Sequence, residues 1–416
     1  FSGNITFTLP ATTGSNGQVL STNGSGALSW VSQSGGATEI NGLSDAVTYD
    51  SGLSIGLGTD ALVNDDGTDN KNTALGYEAL KANTSGYFNT AIGNIAAKST
   101  TTGSQNTAIG YAALWSNTTG YRTNAMGSSA LASQTTGSDN VAIGNSSSSY
   151  ITTGTYNSAL GNYSLWSATT GSSNVVIGYQ AGLSTTTGNY STLVGYEAGK
   201  TITTAGEITA VGYRALKSTT NYSNVAVGLQ ALEDVTTGAG NTAVGYRVGE
   251  DITTGSSNTL MGQYAGTEIT TGAANTALGH NSLYKATTAS SSAAVGYASL
   301  YNCTGGYNTA LGSYAAEDLT TGTNNIIIGY DAQASSVSAT NEITLGNANV
   351  TSLRIPGLQS SASNGQVLTY NSSNGNITLA DAGGLSNNSS QNGSLGVGNN
   401  ALNNDSGTHN TAFGNQ

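Results

Sequence analysis

The segment Asn89-Thr90-Ala91-Ile92-Gly93 is repeated without change 17 residues later as Asn106-Thr107-Ala108-Ile109-Gly110. A glycine that follows an aliphatic residue returns in this way along most of the chain, with fourteen spacings of 17 residues and two of 16. The series is Gly76, Gly93, Gly110, Gly127, Gly144, Gly161, Gly178, Gly195, Gly212, Gly228, Gly245, Gly262, Gly279, Gly296, Gly312, Gly329 and Gly346. A fixed short period indicates a repeat protein in which each repeat packs on its neighbours. Repeat positions are numbered below from this glycine, which is position 0.

Each repeat contains the pattern of one short β-strand. Asn occupies position −4 in twelve of the seventeen repeats, Ala is usual at −2, and −1 is always Leu, Ile, Val or Met. A second glycine is usual at −7, as in Thr101-Thr102-Gly103, and two glycines per repeat favour two corners. Helices are disfavoured because no helix-period apolar stripe occurs and Gly, Thr and Asn are abundant. The sequence predicts an all-β chain, a parallel β-solenoid or β-roll with about 17 residues per turn.

The alternation also predicts which side chains share a side of the strand. Asn and Ala lie on one side, and Thr and the aliphatic residue on the other. We expect the aliphatic column at −1, for example Leu75 and Ile143, to face the core together with Leu at +4, and the stacked Asn amides to form a ladder. One turn holds few large apolar residues, whereas the small Ala at −2 and +3 would let neighbouring chains approach closely. We therefore predict a homotrimer, with the three chains intertwined or packed as a fibre.

Two modules outside the repeats resemble each other. Gln18-Val19-Leu20 recurs as Gln366-Val367-Leu368, and each copy is followed by a restart of the repeat. We predict an N-terminal β connector over residues 1–57, a β-roll array over 58–350, a second connector over 351–393 and the start of a second array over 394–416. Because the chain starts without Met and stops inside a repeat, we expect it to be part of a longer polypeptide.

The composition argues against several partners. The net charge is −12, and the 10 Lys and Arg residues are scattered, so nucleic acid and anionic membranes are poor partners. No run approaches the roughly 18 apolar residues of a membrane helix, so we expect no membrane insertion. Cys303 is the only cysteine, and we expect it to be a small buried filler.

Chemically reactive constellations are scarce. His280 and His409 are the only histidines, and both are expected to be solvated loop residues. The acidic segment 64–70 has a faint calcium-loop pattern but lacks the terminal bidentate Glu, so an ordinary Asp/Asn/Gly turn is favoured. We expect no catalysis, no cofactor and no metal. Three acidic pairs at one repeat phase predict a solvated acidic stripe: Glu233-Asp234, Glu250-Asp251 and Glu317-Asp318.

Aromatic residues recur at fixed repeat positions. Tyr occupies position +1 in eight repeats, and two Trp residues lie one position beyond +4. These residues are Tyr77, Tyr111, Tyr179, Tyr196, Tyr213, Tyr246, Tyr297, Tyr330, Trp115 and Trp166. Such rings either cover the solenoid and pack on one another, or contact a ligand such as a glycan or a receptor. They are the candidate ligand-contact residues, and both interpretations stay open.

The repeats and connectors carry a family resemblance. Asn106-Thr107-Ala108-Ile109-Gly110-Tyr111 and Ser363-Asn364-Gly365-Gln366-Val367-Leu368 resemble segments of bacteriophage tail-fibre proteins. The Ala-Ile-Gly core is also similar to the head repeat of trimeric autotransporter adhesins, although that repeat is shorter than 17 residues. The resemblance implies an extracellular or virion location, a homotrimeric β-roll, and a structural or attachment fibre. Such a fibre either binds a host cell-surface glycan or protein receptor, or serves as a spacer.

Other functions are compatible with the same pattern. One is a structural extracellular filament or surface-layer protein without a specific ligand. Another is an ice-binding solenoid, suggested by the Thr-Thr-Gly ladder, although those Thr residues adjoin a corner glycine. A polysaccharide depolymerase is disfavoured because the low charge density leaves few carboxylate pairs.

Overall fold

The chain is all-β in the part that the structure describes. The computed structural model describes residues 8–15, 18–22, 27–32, 46–49, 53–352, 354, 366–370, 377–381, 395–397 and 411–413, with no helix among them. The strands are β1 (Gln18–Thr22), β2 (Leu28–Ser32), β3 (Ala46–Tyr49), β4 (Ser54–Leu57), β5 (Thr73–Leu75), β6 (Thr90–Ile92), β7 (Thr107–Ile109), β8 (Asn124–Met126), β9 (Val141–Ile143), β10 (Ser158–Leu160), β11 (Val175–Ile177), β12 (Thr192–Val194), β13 (Thr209–Val211), β14 (Val225–Val227), β15 (Thr242–Val244), β16 (Thr259–Met261), β17 (Thr276–Leu278), β18 (Ala293–Val295), β19 (Thr309–Leu311), β20 (Ile326–Ile328), β21 (Ile343–Leu345), β22 (Gln366–Tyr370), β23 (Ile377–Asp381), β24 (Leu395–Val397) and β25 (Thr411–Phe413).

The strands from β4 to β21 form one parallel stack. Each strand pairs with the equivalent strand of the next repeat, so that Ala74 lies beside Ala91 and Ala91 beside Ala108. One strand per repeat means that each 17-residue repeat is one coil of a solenoid, which confirms the predicted fold class. At the first coil, β3 pairs with β4 in the antiparallel direction, and thereby covers that edge of the sheet.

The glycine at position 0 is required by the close approach of successive coils. Gly76 has φ of 136°, and a Cβ atom on it would overlap the carbonyl oxygen of Gly93 in the next coil. An L side chain has neither the space nor the backbone conformation for this position. The fixed spacing of this glycine therefore follows from coil stacking.

The interior of the coil is narrow, and the predicted facing of the strand was wrong. Ala108 at −2 and Leu114 at +4 are fully buried, whereas Leu75 and Ile143 at −1 are 44% and 37% exposed. The residues share sides of the strand as expected, Asn with Ala and Thr with the aliphatic residue. However, Asn and Ala point inward, and Thr and the aliphatic residue point outward. Leu at +4 fills much of the interior, so only a small residue fits opposite it.

The inward Asn residues form the predicted amide ladder. Asn106 is buried, and its backbone N–H donates to Oδ1 of Asn89 over 3.1 Å. Its side-chain amide donates to the carbonyl oxygen of Gly120 over 2.9 Å, and its Oδ1 accepts from the backbone N–H of Thr123 over 3.0 Å. One side chain thus joins three coils and satisfies backbone groups that water cannot reach.

Both connector modules contain a hairpin. β1 pairs with β2, and β22 pairs with β23, each in antiparallel register. β24 and β25 pair in parallel, with Leu395 beside Thr411. The chain divides into two compact units, Phe1–Asn347 and Ala348–Gln416. The stack begins slightly before the predicted boundary at residue 58, because Ser54–Leu57 is its first strand, and much of 1–57, 351–393 and 394–416 lies outside the described residues.

Substitution of Asn241 by Ala tests the amide ladder. The change removes the acceptor for the backbone N–H of Asn258 and the donor to the carbonyl oxygen of Gly255. Each buried group left unpaired costs about 1–3 kcal/mol. We expect the free energy of unfolding, measured with urea, to fall by a matching amount. Asn324→Ala is the control, because the hydrogen bond that the Asn324 side-chain amide donates to Asn341 is exposed to solvent. Equal losses for the two variants would contradict the structural role of the buried column.

Candidate binding surfaces

The outward side of the solenoid sheet is an apolar stripe. We call it the β-face and define it as positions −3 and −1 of strands β5 to β21. None of the seventeen aliphatic residues at −1 is buried, and Thr is the commonest residue at −3. The most exposed members at −1 are Leu75, Met126, Ile143, Leu160, Ile177, Met261, Leu311, Ile328 and Leu345. Contiguous apolar stripes of this length are unusual on soluble monomers and mark interaction surfaces.

The predicted ligand-contact residues lie on another surface. We call it the aromatic face and define it as positions +1, +2 and +5. All eight predicted tyrosines and Trp115 are exposed, and Trp166 is half-buried. Tyr77, Tyr111 and Trp115 contact no other aromatic ring within residues 53–352, which the structure describes throughout. The remaining predicted residues belong to two groups of touching rings.

The first group is centred on Tyr196. Its ring stacks between those of Tyr179 and Tyr213, with centroid distances of 5.5 and 5.3 Å and interplanar angles of 19° and 8°. Tyr163 and Trp166 continue the group at its N-terminal end. Because neighbouring tyrosines cover both faces of the Tyr196 ring, this ring stacks within the protein and has no free face for a ligand.

The second group includes residues that the sequence interpretation missed. Tyr264 at +2 touches Tyr246, His280 and Tyr284 edge-on. His280 lies in a turn, as expected, but it is half-buried and stacks on Tyr297 with a centroid distance of 5.1 Å, which the sequence did not indicate. Tyr301, Tyr314 and Tyr330 complete the group. Tyr284 and Tyr301 share the +5 phase of Trp115 and Trp166, and that phase was a signal available in the sequence.

Charged residues at +2 and +5 pair between coils. Nζ of Lys81 and Nζ of Lys98 lie 2.6 Å from opposite carboxylate oxygens of Glu78, and these bonds lower the pKa of Glu78 to about 2. Glu233 and Glu250 are buried rather than solvated, because arginines at +2 cover them. The expectation of a solvated acidic stripe was therefore wrong at these two positions.

The residues Arg247 and Arg214 provide that cover. Arg247 makes two bonds of 2.6 and 2.9 Å to Glu250, and Arg214 lies 3.0 Å from Glu233. Burial, together with Glu250 and other nearby carboxylates, raises the pKa of Asp251. Because Glu233 and Glu250 are paired with arginines, this edge is disfavoured as an ionic binding site.

The remaining polar candidates are structural. Asp65 and Asp66 accept hydrogen bonds from the backbone of Gly67 and Thr68, as the turn interpretation predicted. Cys303 is fully buried, and burial raises its pKa to about 11, so the thiol is protonated at neutral pH. Among the described residues, no group of three or more His, Cys, Asp or Glu side chains could hold a metal ion. His409 lies outside the described residues.

Tyr196→Ser tests whether the stacked tyrosines support the fold. The change removes two ring pairs, each worth about 0.5–1.5 kcal/mol, and we expect a lower melting temperature by circular dichroism. Tyr190→Ser is the matched control, because the Tyr190 side chain is 71% exposed and contacts no ring in the described part of the chain. A melting loss as large for Tyr190→Ser as for Tyr196→Ser would contradict this assignment.

Comparisons with known proteins give no relative. No protein-family profile, curated protein or solved structure matches the chain significantly. Among the described residues, no helix is long and apolar enough to cross a membrane. The function therefore has to be inferred from the surfaces themselves.

Proposed function

We propose that this chain is a segment of a homotrimeric extracellular fibre, on a virion or a cell surface, that attaches to a ligand without transforming it. The observation that carries the proposal is the β-face, an unbroken apolar column along one side of a rigid stack. A surface of this kind is unsuited to permanent contact with water. A fibre of several parallel copies provides a partner for it.

The size of the apolar column supports self-association. Its nine most exposed members at −1 are 37–53% exposed. Since complete burial of an aliphatic side chain contributes roughly 1.5–3 kcal/mol, covering these nine would contribute on the order of 5–10 kcal/mol per chain. Association costs about 4–15 kcal/mol. The partly exposed members and the Thr rows add to the gain, so a long stack is favourable where a few coils are not.

A trimer with parallel, aligned chains fits the repeat. Every coil presents the same narrow pair of rows, so copies that meet at this face match one another coil by coil. Closed rotational symmetry is the usual solution for such homo-oligomers. The resemblance to the trimeric adhesin head and to tail fibres favours three copies. Ala74 at −2 and Ala79 at +3 are buried within the chain, so they do not form the close contact between chains that the sequence suggested.

The remaining surfaces are available for attachment. In such a trimer the aromatic face stays outside, and its rings and polar side chains repeat from coil to coil. A single contact of this kind is weak, but many aligned contacts on three chains give high avidity. Exposed Tyr and Trp are common in protein and glycan recognition. The expected ligand is a host-surface glycan or receptor.

Two charges on the β-face test the oligomer. We expect the double substitution Ile143→Asp and Ile177→Asp to dissociate the trimer, because six carboxylates would meet in its apolar centre. The circular dichroism spectrum of the coil should persist, since both side chains point away from the coil interior. Light scattering measures the mass of the assembly. Ser173→Asp, at the corner outside the β-face, is the control and should leave the mass unchanged. A monomeric unsubstituted chain at micromolar concentration would contradict the trimer.

A cell-binding assay tests attachment. The purified chain should be retained by host cells, and a dissociated β-face variant should be retained far less because avidity is lost. Mass spectrometry of the supernatant should find no released sugars. Cleavage of the surface polymer would contradict the non-enzymatic proposal, and retention by no cell type would favour a spacer.

A second candidate is ice binding, and the β-face gives it a specific basis. Thr90 and Thr107 lie side by side in paired strands, on the same face as Ile92 and Ile109, whereas the sequence suggested only the Thr residues at the Thr-Thr-Gly corners. A monomeric chain that produces strong thermal hysteresis would favour this function over the fibre. A trimer would cover the same face and produce none.

A further inference from the structure

Aromatic residues also occupy the corner that follows the Thr-Thr-Gly turn, at positions −6 and −5. We call this set the corner row. Its members are Tyr87, Phe88, Tyr121, Tyr156, Tyr190 and Tyr222. Tyr307 also lies at −5, but five coils beyond Tyr222, and it is not counted in the row. All members are exposed, and each step along the row skips one coil. The intervening coils present polar residues at the same corner, namely Gln105, Asp139, Ser173 and Glu207.

The backbone does not require aromatic residues at this corner. Phe88, Tyr156 and Tyr190 have φ values of 56°, 58° and 56°, a left-handed conformation that bulky residues rarely adopt. Gly240 and Asn324 occupy the same position in other coils, and these residue types adopt that conformation more readily. At position −5 the aromatic side chains therefore bring no backbone advantage, and most of their surface is exposed.

The central rings of the corner row have free faces. Within the described residues, no ring or cation contact involves Tyr156, Tyr190 or Tyr222, in contrast to the sandwiched ring of Tyr196. The guanidinium of Arg122 lies 4.6 Å from the ring centroid of Tyr121 and covers one side of it. The corner row thus offers free ring faces to a ligand, whereas rings of the aromatic face such as Tyr196 stack on one another.

Coil stacking fixes the backbone positions that carry these rings. The backbone N–H of Tyr156 donates to the carbonyl oxygen of Ser138 over 3.2 Å, and that of Tyr190 donates to Ser172 over 3.3 Å. Two coils correspond to about 9.6 Å, and the eight coils from Tyr87 to Tyr222 to about 38 Å. A rigid array loses little conformational entropy when a ligand binds.

We propose that the corner row binds an extended, neutral, β-1,4-linked polysaccharide that lies parallel to the solenoid axis. In such a chain each sugar is turned over relative to the next, so the same sugar face recurs once per disaccharide, a length close to that of two coils. The C–H groups of that face pack on an aromatic ring. Glu207 and the net charge of −12 disfavour an anionic chain. This ligand class rests on the proposed attachment function.

Calorimetric titration of the full chain with cellohexaose and chitohexaose tests the proposal. Both oligosaccharides should bind, whereas maltohexaose, which is α-linked and curved, should bind much less. The triple substitution Tyr156→Ser, Tyr190→Ser and Tyr222→Ser should weaken binding at least about tenfold. The substitution Tyr307→Ser, in an isolated tyrosine at the same corner whose side chain is 68% exposed, is the control and should not change binding.

A register variant tests the two-coil spacing. Tyr190→Ser combined with Ser173→Tyr keeps the number of rings but moves one ring by a single coil, at a position with the same left-handed backbone. Its affinity should fall to that of Tyr190→Ser alone. Undiminished binding would overturn the spacing argument, and absence of binding to both β-linked hexasaccharides would overturn the ligand class. If the chain binds cells but neither of these sugars, the ligand class is wrong and the attachment function stands. If it binds neither cells nor sugars, the attachment function is wrong as well.

Discussion

Hydrogen bonding between stacked coils is the interaction on which the rest of the structure depends. Each three-residue strand is too short to be stable alone, but in the stack it pairs on both sides. The buried Asn column extends this pairing to the corner, where its amides bind backbone groups such as the carbonyl oxygen of Gly120. Because an unpaired buried backbone group is costly, a coil that slips out of register loses several bonds at once.

Exact stacking converts every repeat position into a column. Tyr179, Tyr196 and Tyr213 stack because they occupy one phase of three successive coils. Charges combine in the same way, so Glu78 meets lysines of its own coil and of the next. A single favourable choice of residue is thereby multiplied along the axis. The same rule makes each surface a linear array, which suits binding that relies on many weak contacts.

The narrow interior explains why large apolar residues are found outside. Ala at −2 and Leu at +4 already fill the space between opposite walls of a coil, so the aliphatic residue at −1 is directed away from it. A thin solenoid of this kind buries few large side chains per residue. Its outer apolar column stays exposed in the single chain, which is why we propose that a second surface covers it.

The sequence by itself determined the 17-residue period, the strand in each repeat, the Asn ladder and the phases of the aromatic residues, because identical spacing requires identical stacking. It could not determine which side of the strand faces inward. The alternation of side chains along a strand predicts that Asn89 and Ala91 share a side. The width of the closed coil decides that this side is the interior. Only the tertiary structure also placed Tyr264 against His280 and Arg247 over Glu250. These contacts join positions +1, +2 and +5, and the path of the corner between strands, which no periodicity encodes, brings them together.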